Sequence, residues 1–286
     1  MPHPRCLAVL LFHNDADLIA DQIHYYKEVN HHDIIVFNHN STDQSYQTIY
    51  NNLHKIEYVI NFSKDVEFSS NEVHKTIYQI LMNTLRPGRN TKISVMKGEI
   101  PDFADLYDWI SFPESDEFLE GPDRSLTYYD HLCNVDKNKK IKKIRFDNYV
   151  FWFTSKDDEN IKSPVERIRY YCRKSKCAPR LYAWRSACTR IRLFGHISED
   201  DAEYEVIRWK TRHYEMRNFA QMKSKLLDRF KSYTKGAPGT NAHYKVLFNK
   251  FIADPNFAVI DPDQLHYDDG VHELQDEERF NWDAIY

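Results

Sequence analysis

Glu114-Ser115-Asp116 places two carboxylates two residues apart, straight after the short apolar run Trp109-Ile110-Ser111-Phe112. In an extended segment, positions i and i+2 point to one side. Two carboxylates so placed can share a hard divalent cation, which prefers oxygen ligands and keeps positions open for phosphate oxygens. A cation there would neutralise a leaving diphosphate as the bond to it breaks. A solvated acidic turn is the plain alternative for any single pair of this kind. The strand-like run before it, and the hydrophobic Trp109 and Phe118 on either side, favour a site. Glycine is scarce, with 7 in the chain, and neither G-x-x-x-x-G-K nor G-x-G-x-x-G occurs. A diphosphate would therefore be held by a cation and basic side chains, not by a glycine-rich cradle.

The elements that must position this pair alternate in the first half. Cys6 to Phe12 is a continuous apolar run, as a buried parallel strand requires. Asn14 is placed to cap the next helix, which carries Leu18, Ile19, Ile23 and Tyr26 on one face. Asp33 to Phe37 is a second strand, ending in the polar turn Asn38 to Asp43. A helix follows to about His54, with Asp43 a candidate cap, and Tyr58-Val59-Ile60 makes a third strand. Val73, Ile77, Ile80, Leu81 and Leu85 mark a helix that stops before Pro87-Gly88. Beyond the acidic pair, Lys140 to Thr154 reads as a long strand, with Ile144, Phe146, Val150 and Trp152 on one face. Ser163-Pro164-Val165-Glu166 reads as a capping box opening a helix through Arg173. Leu181 to Phe194 reads as strand with a turn, and Tyr214 to about Lys231 as helix. Lys235 to Thr240 reads as a mobile loop, and the chain is acidic after Asp254.

This alternation predicts an α/β fold with a mostly parallel sheet flanked by helices. Ligands in such sheets bind beyond the carboxyl ends of the strands. Three polar clusters fall at those ends: His13-Asn14-Asp15, Asn38 to Asp43, and Glu114 to Glu117. At 286 residues we expect one main domain with a C-terminal elaboration, divided as 1–235 and 236–286. A net charge of −4 argues against a nucleic-acid binder, which needs a basic footprint. No apolar run is long enough for a membrane-spanning helix. The run from Cys6 is too short for a signal-peptide core. The 5 Cys, at 6, 133, 172, 177 and 188, show no zinc-type pairing and read as free thiols. Both points lead us to expect a cytoplasmic protein.

Asp108-Trp109-Ile110-Ser111-Phe112-Pro113-Glu114-Ser115-Asp116-Glu117-Phe118 resembles the "DW-x-x-x-x-D-x-D-E-F" segment of family-two-like GT-A glycosyltransferases, the group related to the DUF23 proteins. Three further segments are similar to that family's, in its order, over roughly residues 5–225. Phe12-His13-Asn14-Asp15 with Tyr25-Tyr26 resembles "K-N-E…E-W-x-x-Y-H". Ile34 to Asp43 resembles "I-x-I-Y-D-N-x-S-T-D". His213-Tyr214 with Arg217, Met222 and Lys223 resembles "H-Y-x-x-R-S…x-K". Two departures stand out: Glu114 replaces the family's first Asp, and Trp152-Phe153-Thr154-Ser155 lacks the Gly of "W-x-x-F-G-S".

The resemblance implies a GT-A fold and transfer of a sugar from a nucleotide-diphosphate sugar to a glycan or other hydroxyl acceptor. It implies that Phe12, His13, Asn14 and Asn38 line the base and ribose, and that Glu114 and Asp116 hold Mn2+ or Mg2+. His213 would complete the metal shell, since a neutral imidazole suits Mn2+. Arg217 and Lys223, expected near the start of the following helix, would reach the diphosphate. Inverting transfer needs a carboxylate base for the acceptor hydroxyl. Asp157 or Asp158 is favoured, because both follow a strand expected beside the metal-site strand; Glu166 and Glu199-Asp200-Asp201 are the other candidates. Two other classes stay open: a non-catalytic carbohydrate-binding module, which the Glu114 departure permits, and a sugar nucleotidyltransferase. The latter would want a glycine-rich or basic triphosphate site near the N-terminus, and Phe12 to Asp17 offers neither.

Overall fold

A computed structural model describes residues 3–62, 70–82, 93–174, 179–188, 205–234, 242–254 and 260–280. The strands are β1 (Cys6–Phe12), β2 (Asp33–Asn38), β3 (Tyr58–Phe62), β4 (Ile93–Lys97), β5 (Trp109–Ser111), β6 (Glu117–Glu120), β7 (Ile141–Trp152), β8 (Tyr170–Arg173), β9 (Arg180–Arg185), β10 (Glu205–Met216) and β11 (His266–Tyr267). The helices are α1 (Ile19–Ile23), continued as a π-helix over His24–Val29, then α2 (Ser45–Asn51), α3 (Ser70–Leu81), α4 (Phe103–Leu106), α5 (Tyr128–Asp136), α6 (Pro164–Arg167), α7 (Phe219–Thr234) and α8 (Ala242–Ala253). The chain divides into two compact units, residues 1–148 with 177–211, and residues 149–176 with 212–286. No helix among the described residues is long and apolar enough to cross a membrane.

In the first unit β5, β1, β2 and β3 lie side by side and parallel. Antiparallel strands flank them, β4 on β3 and then β9 on β5, with β7 beyond β9. All seven residues of β1 are buried, which explains why its sequence shows no alternation. Cys6, Ala8, Leu10 and Phe12 face one core, with Ile19, Ile23 and Tyr26 and with Tyr128 and Leu132 of α5. Leu7, Val9 and Leu11 face the other, against Val73, Ile77, Ile80 and Leu81 of α3. Helices cover both faces, as an α/β fold requires.

The second unit holds the end of β7 paired antiparallel with β8, and β11 on the outer side of β8. Phe151, Tyr171 and His266 stack in sequence, with ring centroids 5.1 and 5.5 Å apart. Here the helix expected through Arg173 stops early. Ser163 accepts the Glu166 N–H and Pro164 opens α6, but one turn later Tyr170-Tyr171-Cys172 enters the sheet. Aromatic residues and a strand edge at Tyr149–Phe151 outweigh the cap. The helix expected from Tyr214 likewise begins only at Phe219, because β10 runs through Met216. Leu85, Pro87-Gly88, the 189–194 part of the Leu181–Phe194 strand, Glu199 to Asp201, Lys235 to Thr240 and Cys177 lie outside the described residues. The four described cysteines are free.

Beneath β5, His32 is completely buried. It stacks on Tyr128 at 5.5 Å, and Ser111 lies 3.5 Å from Nε2. Burial drives its pKa down from 6.5 to about 4. The unfolded chain therefore takes up this proton first as pH falls. The folding stability tied to His32 is full above pH 6.5 and is lost progressively down to about pH 4, by about 3 kcal/mol in all. We expect urea unfolding of His32→Gln to lose less stability than wild type between pH 7 and 4.5. Identical pH slopes would rule the effect out.

Candidate metal and nucleotide site

The sheet order reverses between β1 and β5. The chain steps outward through β2 and β3, then returns to add β5 on the other side of β1. Such a switch point opens a crevice beyond the strand ends. Phe12-His13-Asn14 leaves β1 there, and Glu114-Ser115-Asp116 follows β5.

The acidic segment is a turn, not the extended stretch that the spacing suggested. The Glu117 N–H donates to the Glu114 carbonyl at 3.1 Å, closing a four-residue turn before β6. Gln22 on the buried face of α1 fixes that turn. Its Nε2 donates to the carbonyls of Glu114 and Glu117, both at 2.9 Å. The Glu117 carboxylate folds back to accept the Glu114 N–H at 3.1 Å. Asp116 is buried, whereas the Glu114 side chain remains 38% exposed.

Behind the turn lies a buried charged group. Glu117 has no exposed surface; its Oε1 accepts from Arg180 at 2.7 Å and from the Tyr182 hydroxyl at 2.6 Å. Arg180 also lies 3.4 Å from Glu114. Burial opposes the charge on Arg180, but Tyr182, Glu114 and Glu117 outweigh it and keep the guanidinium protonated. Burial pushes the Tyr182 phenol well above its ordinary value, with Arg180 acting in the opposite sense. Gln22, Arg180 and Tyr182 were not singled out from the sequence. Gln22 carried a signal, being polar amid Leu18, Ile19, Ile23 and Tyr26. Arg180 carried none.

At the other strand ends, Phe12 is buried and in register with Asn38. Asn38 donates to Asn61 at 3.1 Å and accepts from the Ser41 hydroxyl at 2.8 Å. His13 Nδ1 lies 2.6 Å from the His39 carbonyl. Asn14 does not cap α1. It sits at φ 60°, a left-handed conformation that Asn tolerates, and its Oδ1 accepts from Thr42 and Asp43 N–H groups at 2.7 and 3.3 Å. The loops after β1 and β2 are thus tied together. Asp43 accepts the N–H groups of Ser45, the first residue of α2, and of Ala16, so it ties the start of that helix to the loop after β1.

The remaining predicted residues belong to the second unit. His213 lies on β10 and is buried. Arg217 precedes α7 instead of lying on it. It is buried, with its N–H donating to Gln221 and its guanidinium to the Tyr214 carbonyl at 3.4 Å. Lys223 is on α7 and exposed. Asp157 is half-buried and accepts the Thr154 N–H at 2.8 Å. Burial raises its pKa, offset in part by Thr154 and by the charge of Arg167. Asp158 is exposed and closes a turn by accepting from Asn160. The strand before them does not adjoin β5, because β9 lies between.

No family model and no curated protein matches this chain. Among solved structures it is similar to the mannosyltransferase PcManGT from Pyrobaculum calidifontis, determined in complex with GDP-Man and Mn2+. The identity is 11% and the TM-score 0.41, over 82% of this chain and 66% of that one. It is also similar to S. aureus TarS, at 10% identity and TM-score 0.38, over 91% of this chain and 45% of that one. TarS 1-349 in complex with UDP gives 12% identity and a TM-score of 0.33, over 88% and 72%. The chain spans about two thirds of the first neighbour's length and under half of the second's. Likenesses this distant leave the chemistry of the site to its own residues.

Proposed function

We propose that this chain is a metal-dependent glycosyltransferase of the GT-A type, related to the family-two-like and DUF23 group, that moves a sugar from a nucleotide-diphosphate donor to a hydroxyl acceptor with inversion. The observation that carries the reading is the placing of the Glu114–Asp116 turn after β5, at the switch point where Phe12-His13-Asn14 leaves β1. The donor set fits a hard divalent cation: two carboxylates, one buried and one half-exposed, on a turn pinned by Gln22. A cation held by Glu114, Asp116 and His213, Mn2+ or Mg2+, would neutralise the diphosphate as the glycosidic bond breaks.

In this reading Phe12, His13, Asn14 and Asn38 line the base and ribose, on loops that Asn14 ties together. Arg217 and Lys223 bind the diphosphate. Asp157, whose raised pKa suits proton uptake, or Asp158 takes the proton from the acceptor hydroxyl. The transferase domain would span 1–235, with 236–286 an extension. The free thiols support a cytoplasmic setting.

The pairing of Glu114 with Arg180 favours a second reading, a carbohydrate-binding module that does not turn over. Melting curves with Mn2+ and a panel of UDP, GDP and TDP sugars would locate the donor, since a ligand selective for folded protein raises stability by about 2.7 kcal/mol at 100 times its Kd. We expect one nucleotide to raise the melting temperature only with metal present, and its sugar to be released or transferred on incubation. Binding without turnover would leave the module, and binding by none would remove the transferase reading.

A further inference from the structure

Arg180 has no role in sugar transfer so far, yet the acidic turn closes around it. Its guanidinium meets Glu117 at 2.7 Å and Glu114 at 3.4 Å. The close contact goes to the fully buried carboxylate and the longer one to the half-exposed carboxylate. Glu117 in turn accepts the Glu114 N–H, so Arg180, Glu117 and Glu114 form one connected group. Resting on the metal-site reading above, we propose that Arg180 is a positioning residue that sets how tightly Glu114 and Asp116 hold their cation. Anchored on Glu117, it keeps Glu114 in place and competes with the cation for that carboxylate.

Coulomb energy carries the argument. A fixed positive charge a few ångströms from a divalent ion repels it, and the partly buried setting weakens the screening. The Glu side chain at 114 belongs to the same device. It reaches the guanidinium, whereas Asp, shorter by one methylene, would draw back from Arg180 toward Asp116. The affinity is thereby lowered, and the cation can arrive and leave with its diphosphate.

Mn2+ titration followed by electron paramagnetic resonance, without donor or acceptor, tests this independently of turnover. Four proteins are compared: wild type, Arg180→Lys, Glu114→Asp, and the double variant Glu117→Gln/Arg180→Gln, which leaves no buried charge unpaired. We expect Arg180→Lys, which keeps the charge, to bind within about twofold of wild type. Glu114→Asp should bind several-fold tighter; the double variant removes one positive and one negative charge together, so its gain comes from releasing Glu114 and should be about threefold. Equal or weaker binding in the double variant overturns the proposal. So does tight binding by Arg180→Lys. Should the double variant not fold, weaker binding by Glu114→Asp overturns it alone. If wild type binds Mn2+ and no variant differs, only the role of Arg180 falls. If none of the four binds, the metal site falls with it.

Discussion

Asp116→Asn is expected to abolish Mn2+ binding and to lower sugar transfer by about 1000-fold, while the metal-free protein keeps its melting temperature. Asp116 is buried, so a carboxylate there is costly unless it is engaged, and a neutral amide of the same shape is tolerated. Charge stabilisation of the leaving diphosphate is worth several kcal/mol, and each 1.36 kcal/mol is about tenfold in rate. Thermal melting with and without Mn2+, beside a transfer assay, reads both halves. Unchanged Mn2+ binding and turnover in this variant would end the metal reading. A large loss of stability without metal would show instead that Asp116 is a structural acid.

Glu117→Ala should be the most destabilising change in this region, by about 3–5 kcal/mol, with the midpoint of thermal unfolding falling on the order of 10 °C. Glu117 is wholly buried and Arg180 is only 16% exposed, so deleting the acid strands a guanidinium away from water. Glu114, at 3.4 Å, compensates in part, which places the loss toward the lower end of that range. The Glu114 N–H would also lose its acceptor, the Glu117 carboxylate. Replacing both partners by apolar residues, Glu117→Leu with Arg180→Met, should recover most of the stability, because breaking a buried pair costs more than removing it whole. Urea unfolding of wild type and the two variants tests this. A midpoint unmoved by Glu117→Ala would mean that the ion pair is not formed in solution.

The central strands were legible in the sequence for a simple reason. A strand buried on both faces needs an unbroken apolar run, and Cys6–Phe12, Ile34–Phe37 and Tyr58–Ile60 are such runs bounded by polar turns. β10 was legible too, in retrospect. Exposed Arg208 and half-buried Lys210 and Arg212 alternate with buried Trp209, Thr211 and His213, a period of two that marks a strand leading up to Tyr214. Tyr170–Arg173 was not, because a good helix start at Ser163-Pro164 says nothing about how far the helix runs. Asn14 shows the same limit. An Asn before a helix is a plausible cap, and only its φ of 60° and its bonds to the next loop reveal the other use.

The sequence by itself determined that two acids stand just past a central strand, at the end where α/β sheets bind ligands, because strand runs and polar turns are written locally. Only the tertiary structure decided what holds those acids. Gln22 lies 92 residues from Glu114, and Arg180 lies 63 residues from Glu117. Contacts over such separations leave no periodic trace in the chain. They exist because burying Glu117 demanded a cation and donors from whichever elements the sheet brought within reach.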